Sequence, residues 1–137
     1  MLNKIKCLLF KLVILLKGVF MTNLELQAYR RFLMLKVSEA SQYIGKTDAK
    51  TWYDWENGTI PVPEFVANTM QELKKLRNDK INIIINSIND RVGSNIIRYF
   101  MTYEEFKKIN PNLDVVQWRL HQSIATELYF RGLEKLC

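Results

Sequence analysis

Two tryptophans, Trp52 and Trp55, restrict the fold of this chain more than any other feature of its sequence. Asp48 precedes them as a good helix N-cap, and Gly58 follows them as a residue that commonly ends a helix. At about 100° per residue, both tryptophans lie on one side of a helix over residues 49–57. A large aromatic face favours burial, so we expect Trp52 and Trp55 to be structural core residues.

The opposite side of this predicted helix carries small and polar side chains, which suit contact with DNA. A helix in the major groove presents such side chains to the base edges. The predicted base-reading residues are Ala49, Lys50, Tyr53 and Asp54. Lys50 can donate to guanine or to a phosphate, whereas Asp54 can accept from cytosine and repels phosphate. Most exposed lysines are plain surface charges, so only the whole pattern gives Lys50 this role.

Residues on either side of the helix are placed for the DNA backbone. The predicted phosphate contacts are Lys46 and Thr47 in the preceding turn, and Asn57 and Thr59 at the C-terminal end. Phosphate contacts orient a protein on the duplex but carry no sequence information directly. We therefore expect one group of residues to select the sequence and another to set the overall affinity.

Two further helices are predicted before this one, over residues 23–34 and 37–44, with a turn at 45–47. Arg30 lies near the inner face of the first helix, and Glu56 lies at the margin of the tryptophan face. These positions predict a partly buried ion pair between Arg30 and Glu56.

The segment LMLKVSEASQYIGKTDAKTWYDWENGTIPVP, residues 33–63, resembles the Xre/Cro-type helix-turn-helix. It is similar, more closely, to the YdiL-like group that includes anti-CRISPR-associated repressors. The positions that match this group are Leu33, Leu35, Val37, Glu39, Ala40, Ile44, Gly45, Thr51, Trp52, Trp55, Glu56, Gly58, Pro61, Val62 and Pro63. The segment 118–128 also resembles the C-terminal helix of the group. The resemblance extends from Met21 to about the end of the chain. It implies a lambda-repressor-like fold that binds DNA and, as in many such modules, a pair between Arg30 and Glu56.

Three residues depart from the pattern of this group. Lys36 stands where a serine usually caps the second helix, so we expect that helix to be less well capped. Ser41 replaces an alanine, which is a mild change. Asp48 replaces a serine and is an equally good cap. The reading face varies within the group, so the resemblance implies nothing about the target sequence.

Residues 63–137 are predicted to form a C-terminal helical dimerisation region after a helix-turn-helix module over 21–62. The predicted elements are a long helix from Pro63, a small β element over 95–101, a short helix from Thr102 and a last helix over 115–130. Alternating isoleucines over 81–85 leave a strand open at that place. The predicted fold class is therefore mainly α, with a small β element.

Aromatic side chains are frequent in this C-terminal region and suggest an exposed surface. They are Tyr99, Phe100, Tyr103, Phe106, Tyr129 and Phe130. Aromatic enrichment is typical of protein–protein interfaces, although an ordinary core has the same composition. We expect a homodimer that forms through this region.

The net charge of +6 is unevenly distributed, which weakens the case for a nucleic-acid partner. The first twenty residues hold four lysines and no acid, so residues 21–137 carry only +2. Residues 21–60 hold five basic and five acidic side chains. This balance supports an alternative function, a protein-interaction module that has a helix-turn-helix fold and does not bind DNA.

Residues 1–20 form an N-terminal extension that lies outside the resemblance. A signal peptide is disfavoured because Lys11 interrupts the apolar stretch and no small-residue cleavage site follows. The stretch is also short and charged for a transmembrane helix, so a membrane partner is not expected. A surface-bound or packed amphipathic helix stays open. The interpretation we favour is a start-site artefact, with translation beginning at Met21.

Outside the helix-turn-helix, the sequence offers little chemistry. Cys7 and Cys137 lie near opposite ends without metal-ligand spacing, which fits a reducing, cytoplasmic location. His121 is the only histidine and lacks the partners of a zinc site or a catalytic triad. The motifs of phosphate-binding loops and of nucleophilic catalysis are absent. We therefore predict no enzyme activity, no cofactor and no metal.

These observations predict a sequence-specific regulator of transcription. We expect a repressor that binds an inverted repeat in double-stranded DNA as a homodimer. One module contacts only a few base pairs, so its affinity alone would be marginal. Two modules on half-sites roughly 34 Å apart would supply the missing affinity and specificity.

Overall fold

The computed structural model describes residues 4–5, 19–89 and 95–137. From Asn23 onward, its helices are α1 (Asn23–Phe32), α2 (Val37–Ala40), α3 (Ala49–Glu56), α4 (Glu64–Asn89), α5 (Tyr103–Ile109) and α6 (Val115–Phe130). Two short strands, β1 (Ile96–Ile97) and β2 (Lys135–Leu136), pair in parallel. The predicted mainly α fold with a small β element is therefore confirmed.

Two helices of the N-terminal half, α1 and α3, begin after residues whose side chains cap them. Thr22 and Glu25 form a reciprocal capping box at α1, in which the Thr22 N–H donates to Glu25 Oε2 at 2.8 Å. At α3, Asp48 Oδ1 accepts from the Thr51 N–H at 2.7 Å, as the sequence predicts. At α2, the Lys36 side chain makes no capping hydrogen bond, as expected where serine is replaced.

The chain between α2 and α3 differs from the regular helix and turn that the sequence predicts. The predicted helix over 37–44 is α-helical only for its first 4 residues, after which Ser41–Gly45 form one wider π-helical turn. A Cβ atom at Gly45 would lie 2.9 Å from Trp52 Cε3, so the tryptophan packs where only glycine fits. Lys46 then adopts a φ of 51°, in the left-handed region, and redirects the chain into α3.

The C-terminal half corrects two expectations. Helix α4 continues through 81–85, so the alternative strand at that place is wrong. Within 95–101, only Ile96–Ile97 form a strand, and the sequence did not predict their partner, Lys135–Leu136. Because α5 and α6 separate the two strands along the chain, no local pattern indicates their pairing.

One hydrophobic core includes side chains from both the N-terminal and the C-terminal halves. Leu26 of α1, Trp52 of α3, Met70 of α4, and Leu120 and Leu128 of α6 are at most 1% exposed in it. Burial of such a side chain contributes about 1.5–3 kcal/mol relative to exposure. The position of α3 is therefore set by helices from both predicted parts of the chain.

A smaller core cluster overturns one expectation about the C-terminal aromatic residues. Phe100 and Phe106 are only 5% and 3% exposed, and they pack with Trp118. These two phenylalanines belong to the core because α5 and the segment before it fold onto α6. Tyr129 and Phe130, by contrast, are 48% and 82% exposed.

Most of the predicted N-terminal extension lies outside the described residues. Val19 packs against the core, and Met21 is 4% exposed. The start-site artefact and the amphipathic helix over residues 1–20 therefore stay predictions. Within the described ranges, no helix combines the length and apolar character needed to span a membrane.

Candidate nucleic-acid interface

The inner face of α3 is fixed by its two tryptophans. Trp52 is 0% and Trp55 is 5% exposed. Their ring centroids lie 5.6 Å apart in an edge-to-face arrangement, which is favourable for aromatic rings. Trp52 Nε1 donates to Glu56 Oε1 at 2.7 Å, so the polar edge of the buried indole is also satisfied. These contacts hold one side of α3 against the core.

Arg30 joins α1 to the end of α3 through Glu56. Arg30 Nη2 donates to Glu56 Oε2 at 3.1 Å, and Arg30 Nε donates to Glu56 Oε1. The two side chains are 12% and 3% exposed. Arg30 Nη1 also donates to the Leu35 carbonyl at 3.0 Å, so the guanidinium orients the loop before α2 as well. The two residues expected to pair are thus in direct, bidentate contact.

The environment of Glu56 keeps its carboxylate charged. Burial by itself would raise the pKa of Glu56, but hydrogen bonds from Arg30 and Trp52 hold it below the ordinary value. A charged carboxylate is a stronger acceptor than a neutral one. The link between α1 and α3 therefore requires the ionised form of Glu56.

The outer face of α3 carries the four predicted base-reading residues. Ala49, Lys50 and Tyr53 are exposed, and Tyr53 retains 61% of its accessible surface. Asp54 is half-buried beside them. A small residue near the N-terminus of α3 leaves room for close approach, and the exposed lysine and tyrosine can donate hydrogen bonds. Side chains of these kinds are able to contact base edges in a major groove.

Lys50 and Asp54 are paired on this outer face. Lys50 Nζ lies 2.9 Å from Asp54 Oδ2, and the two side chains are 84% and 18% exposed. The hydrogen bond that Lys50 donates to this carboxylate raises the pKa of Lys50. Sequence reasoning treated the two residues separately, although their spacing of four residues on a helix predicts such a contact. Asp54 therefore limits where the Lys50 ammonium can point.

The four predicted phosphate-contact residues lie at the two ends of α3. Lys46 is exposed and Thr47 is half-buried in the turn before the helix, and Asn57 and Thr59 are exposed after it. Asn57 Oδ1 accepts from the Thr59 N–H at 2.8 Å and from the Thr59 hydroxyl. Asn57 is exposed, so its amide nitrogen can donate outward. The two ends of α3 thus offer the Lys46 ammonium, the Thr47 hydroxyl and the Asn57 amide as donors, whereas the Thr59 hydroxyl already donates to Asn57.

A second ion pair supports this surface, and sequence reasoning missed it. Arg119 of α6 binds Glu39 of α2, with Nη2–Oε1 at 2.8 Å and Nε–Oε2 at 2.9 Å. The pair ties the helix before the turn to the C-terminal half. Burial would raise the pKa of Glu39, yet the bonds from Arg119 and from the Lys36 backbone lower it. Glu39 belongs to the matched motif, but nothing local in the sequence identifies its partner.

Metal chemistry has no visible basis in the part of the chain that the structure describes. Among those residues, no three metal-binding side chains come together. His121 Nε2 lies 2.7 Å from the Arg98 carbonyl oxygen, so this ring nitrogen is occupied by a backbone contact. The outer face of α3 is the main candidate site, and its side chains offer hydrogen-bonding groups and charges.

Comparison with known proteins shows the family of this chain. The Aca2/YdiL-like family model matches residues 21–137. The uncharacterised protein YdiL of Escherichia coli K12 is 34% identical over 118 residues, which cover 85% of this chain and 100% of YdiL. The Aca2 repressor of Pectobacterium phage ZF40 is 38% identical over 112 residues, which cover 82% of this chain and 96% of the repressor. The chain therefore belongs to the Aca2/YdiL-like family.

Proposed function

We propose that this protein is a transcriptional repressor that binds a specific sequence in double-stranded DNA through α3. The observation that carries the proposal is the contrast between the two faces of this helix. Trp52 and Trp55 anchor the inner face, while Ala49, Lys50 and Tyr53 are exposed on the outer face. The similarity to the Aca2 repressor supports a repressing role.

The proposed mode of binding divides the work between two groups of residues. Ala49, Lys50, Tyr53 and Asp54 enter the major groove and select the base sequence. Lys46, Thr47, Asn57 and Thr59 contact phosphates on either side of the groove and set the register of α3. The structural pair of Arg30 and Glu56 touches no DNA and keeps the helix at a fixed angle.

The proposed repressor acts as a homodimer on an inverted repeat. Two exposed aromatic side chains at the end of α6, Tyr129 and Phe130, support a contact between C-terminal regions. Aromatic side chains at the surface are enriched at protein interfaces. A twofold-symmetric dimer would place its two α3 helices in successive major grooves, about 34 Å apart.

Selection from random duplex DNA with the full chain tests this function. We expect enrichment of one inverted repeat, and we expect affinity for random duplex to fall steeply as the salt concentration rises. Sedimentation of the wild type and of Phe130→Ser reports the oligomeric state in parallel. A dimer that the substitution weakens, together with weaker DNA binding, supports the proposed assembly.

The competing function is a protein-interaction module that does not bind DNA. It is favoured by the equal number of acidic and basic residues over 21–60 and by the engagement of Lys50 with Asp54. The same selection separates the two functions. No enriched sequence, together with random-duplex binding that is absent even at low salt, would support the interaction module.

A further inference from the structure

The C-terminal half contains a cavity that lies outside the proposed DNA interface. Its volume is about 390 Å³, and side chains from α4, α5, α6 and the segment before α5 line it. Small-molecule sites occupy volumes of about 300–1,000 Å³ and combine apolar walls with a few polar groups. We propose that this cavity binds a small aromatic carboxylate.

The charge of the cavity indicates an anionic ligand. Lys80 and Arg98 line it, and the described residues of its wall include no aspartate or glutamate. Neither Lys80 nor Arg98 forms an ion pair with another described residue. Two cations without a counter-charge at one concave surface attract an anion and discriminate against a cation.

Arg98 is held in an orientation that suits a carboxylate. Its guanidinium carbon lies 4.8 Å from the centroid of the Phe100 ring. This cation–π contact restrains the guanidinium beside the ring, and its five N–H groups include a pair that can bind a carboxylate in a bidentate contact. Lys80 reaches the same cavity from α4 and can supply a second, more flexible donor.

The remaining wall favours a flat ring. Phe100 and Phe106 meet edge to face at 5.3 Å, and the His121 ring lies 5.4 Å from Phe100 and 6.0 Å from Phe106. A hydrogen bond between His121 Nε2 and the Arg98 carbonyl ties the backbone before Phe100 to α6. Because a carbonyl oxygen can only accept, His121 Nε2 carries the proton of this bond. An aromatic corner beside two cations suits a ring that carries a carboxylate.

The cavity wall is connected to the helix-turn-helix by hydrogen bonds. The Phe100 carbonyl accepts from Trp118 Nε1 at 3.0 Å and from Gln122 Nε2 at 3.1 Å. Gln122 Oε1 accepts from Arg119 Nη1 at 2.9 Å, and Arg119 binds Glu39 of α2. A ligand in contact with Phe100 would therefore be linked through these hydrogen bonds to the residues that position α2. The binding site itself does not depend on the proposed DNA function, and its test uses no DNA.

Isothermal titration calorimetry on the full chain tests the cavity with phenylacetate, benzoate and indole-3-acetate. Phenylacetamide serves as the neutral counterpart of phenylacetate. We expect saturable binding of at least one carboxylate and binding of the amide that is about tenfold weaker, since a charge-assisted hydrogen bond is lost. Arg98→Gln and Lys80→Gln should each weaken carboxylate binding by about tenfold on the same grounds. Lys108→Gln removes an exposed lysine of α5 outside the cavity and should leave binding unchanged.

Three results would overturn the proposal. One is the absence of saturable binding for all three carboxylates. Another is equal binding of phenylacetate and phenylacetamide. The third is carboxylate binding that both cavity variants retain at the wild-type level. Thermal unfolding without ligand shows whether each variant is folded. Because Lys80 and Arg98 lie on different elements, one variant still tests the proposal if the other does not fold. Loss of DNA binding in a separate assay would leave these outcomes unaffected.

Discussion

The two ion pairs of α3 use similar side chains in opposite environments. Arg30 and Glu56 are 12% and 3% exposed and join two helices that are separated along the chain. Lys50 and Asp54 are 84% and 18% exposed and belong to the same helix. Removal of one partner from a buried pair leaves a charge without compensation, whereas water and salt screen an exposed pair.

This contrast divides α3 into a structural side and a side that is free to change. The inner side, with Trp52, Trp55 and Glu56, determines where the helix lies. The outer side contributes little to the free energy of folding, so Lys50 and Asp54 can be replaced without loss of the fold. The following expectations test that division, in order of decreasing effect on folding stability.

Substitution Glu56→Ala should have the largest effect. It leaves the buried Arg30 without a counter-charge and removes the acceptor of Trp52 Nε1. We expect a loss on the order of 3–5 kcal/mol in the free energy of unfolding, measured by urea denaturation. Lys50→Ala is the matched control on the exposed pair and should unfold close to the wild type. Similar losses for both variants would contradict the division of α3 into two sides.

Substitution Gly45→Ala should destabilise the fold through steric crowding. The added Cβ would lie 2.9 Å from Trp52 Cε3 and 3.0 Å from Trp55 Cζ3, both in the core. Overpacking of this kind costs about 1–3 kcal/mol. Ser38→Ala, at an exposed position of α2, is the control for the same kind of measurement. An unchanged urea midpoint for Gly45→Ala would show that the tryptophans can move without cost.

Acid should weaken the two buried ion pairs that hold α2 and α3, Arg119–Glu39 and Arg30–Glu56. The pKa values of Glu56 and Glu39 lie below their ordinary value of 4.5 in the folded chain. Their contribution is therefore complete above pH 4.5 and is lost as the pH falls through the lowered folded values. Urea midpoints measured from pH 7 downward should decrease in the wild type, and Glu56→Gln should flatten the decrease. An identical pH profile for wild type and Glu56→Gln would refute this assignment.

Substitutions on the outer side should change DNA recognition with the smallest effect on stability. Loss of a base contact in Lys50→Ala should weaken affinity for the selected site by about tenfold and alter the base preference at one position.

Asp54→Asn removes the charge that repels phosphate and frees Lys50, so non-specific affinity should rise and selection at one base pair should relax. Lys46→Ala should weaken all sequences about equally. Binding selection with each variant measures these effects, and three wild-type motifs at undiminished affinity would exclude α3 as the reading element.

Much of the helix-turn-helix could be predicted because its signals act over a few residues. Asp48 caps α3, the spacing of Trp52 and Trp55 sets its buried face, and the positions of Arg30 and Glu56 suggest their contact. The π-helical turn at Ser41–Gly45 escaped prediction because it depends on how closely the tryptophans approach Gly45. That approach is a property of packed side chains and leaves no periodic pattern.

The C-terminal half was less predictable because its decisive contacts join distant residues. Phe100 and Phe106 are of the residue type that is enriched at interfaces, and only the packing of α5 onto α6 places them in the core. The strand partners Ile96–Ile97 and Lys135–Leu136 likewise meet only in the folded chain. Each of these contacts depends on the relative positions of elements that are far apart in the sequence.

The sequence by itself determined the helices, their caps and the two-faced character of α3, because backbone hydrogen bonds and side-chain periodicity act within a few turns. The tertiary structure alone decided that Arg119 pairs with Glu39. Arg119 and Glu39 lie far apart in the sequence, yet α6 brings them within 2.8 Å and thereby holds α2 in place. The physical reason is that burial and long-range pairing depend on how whole helices pack against one another. This packing is established only when the hydrophobic core forms.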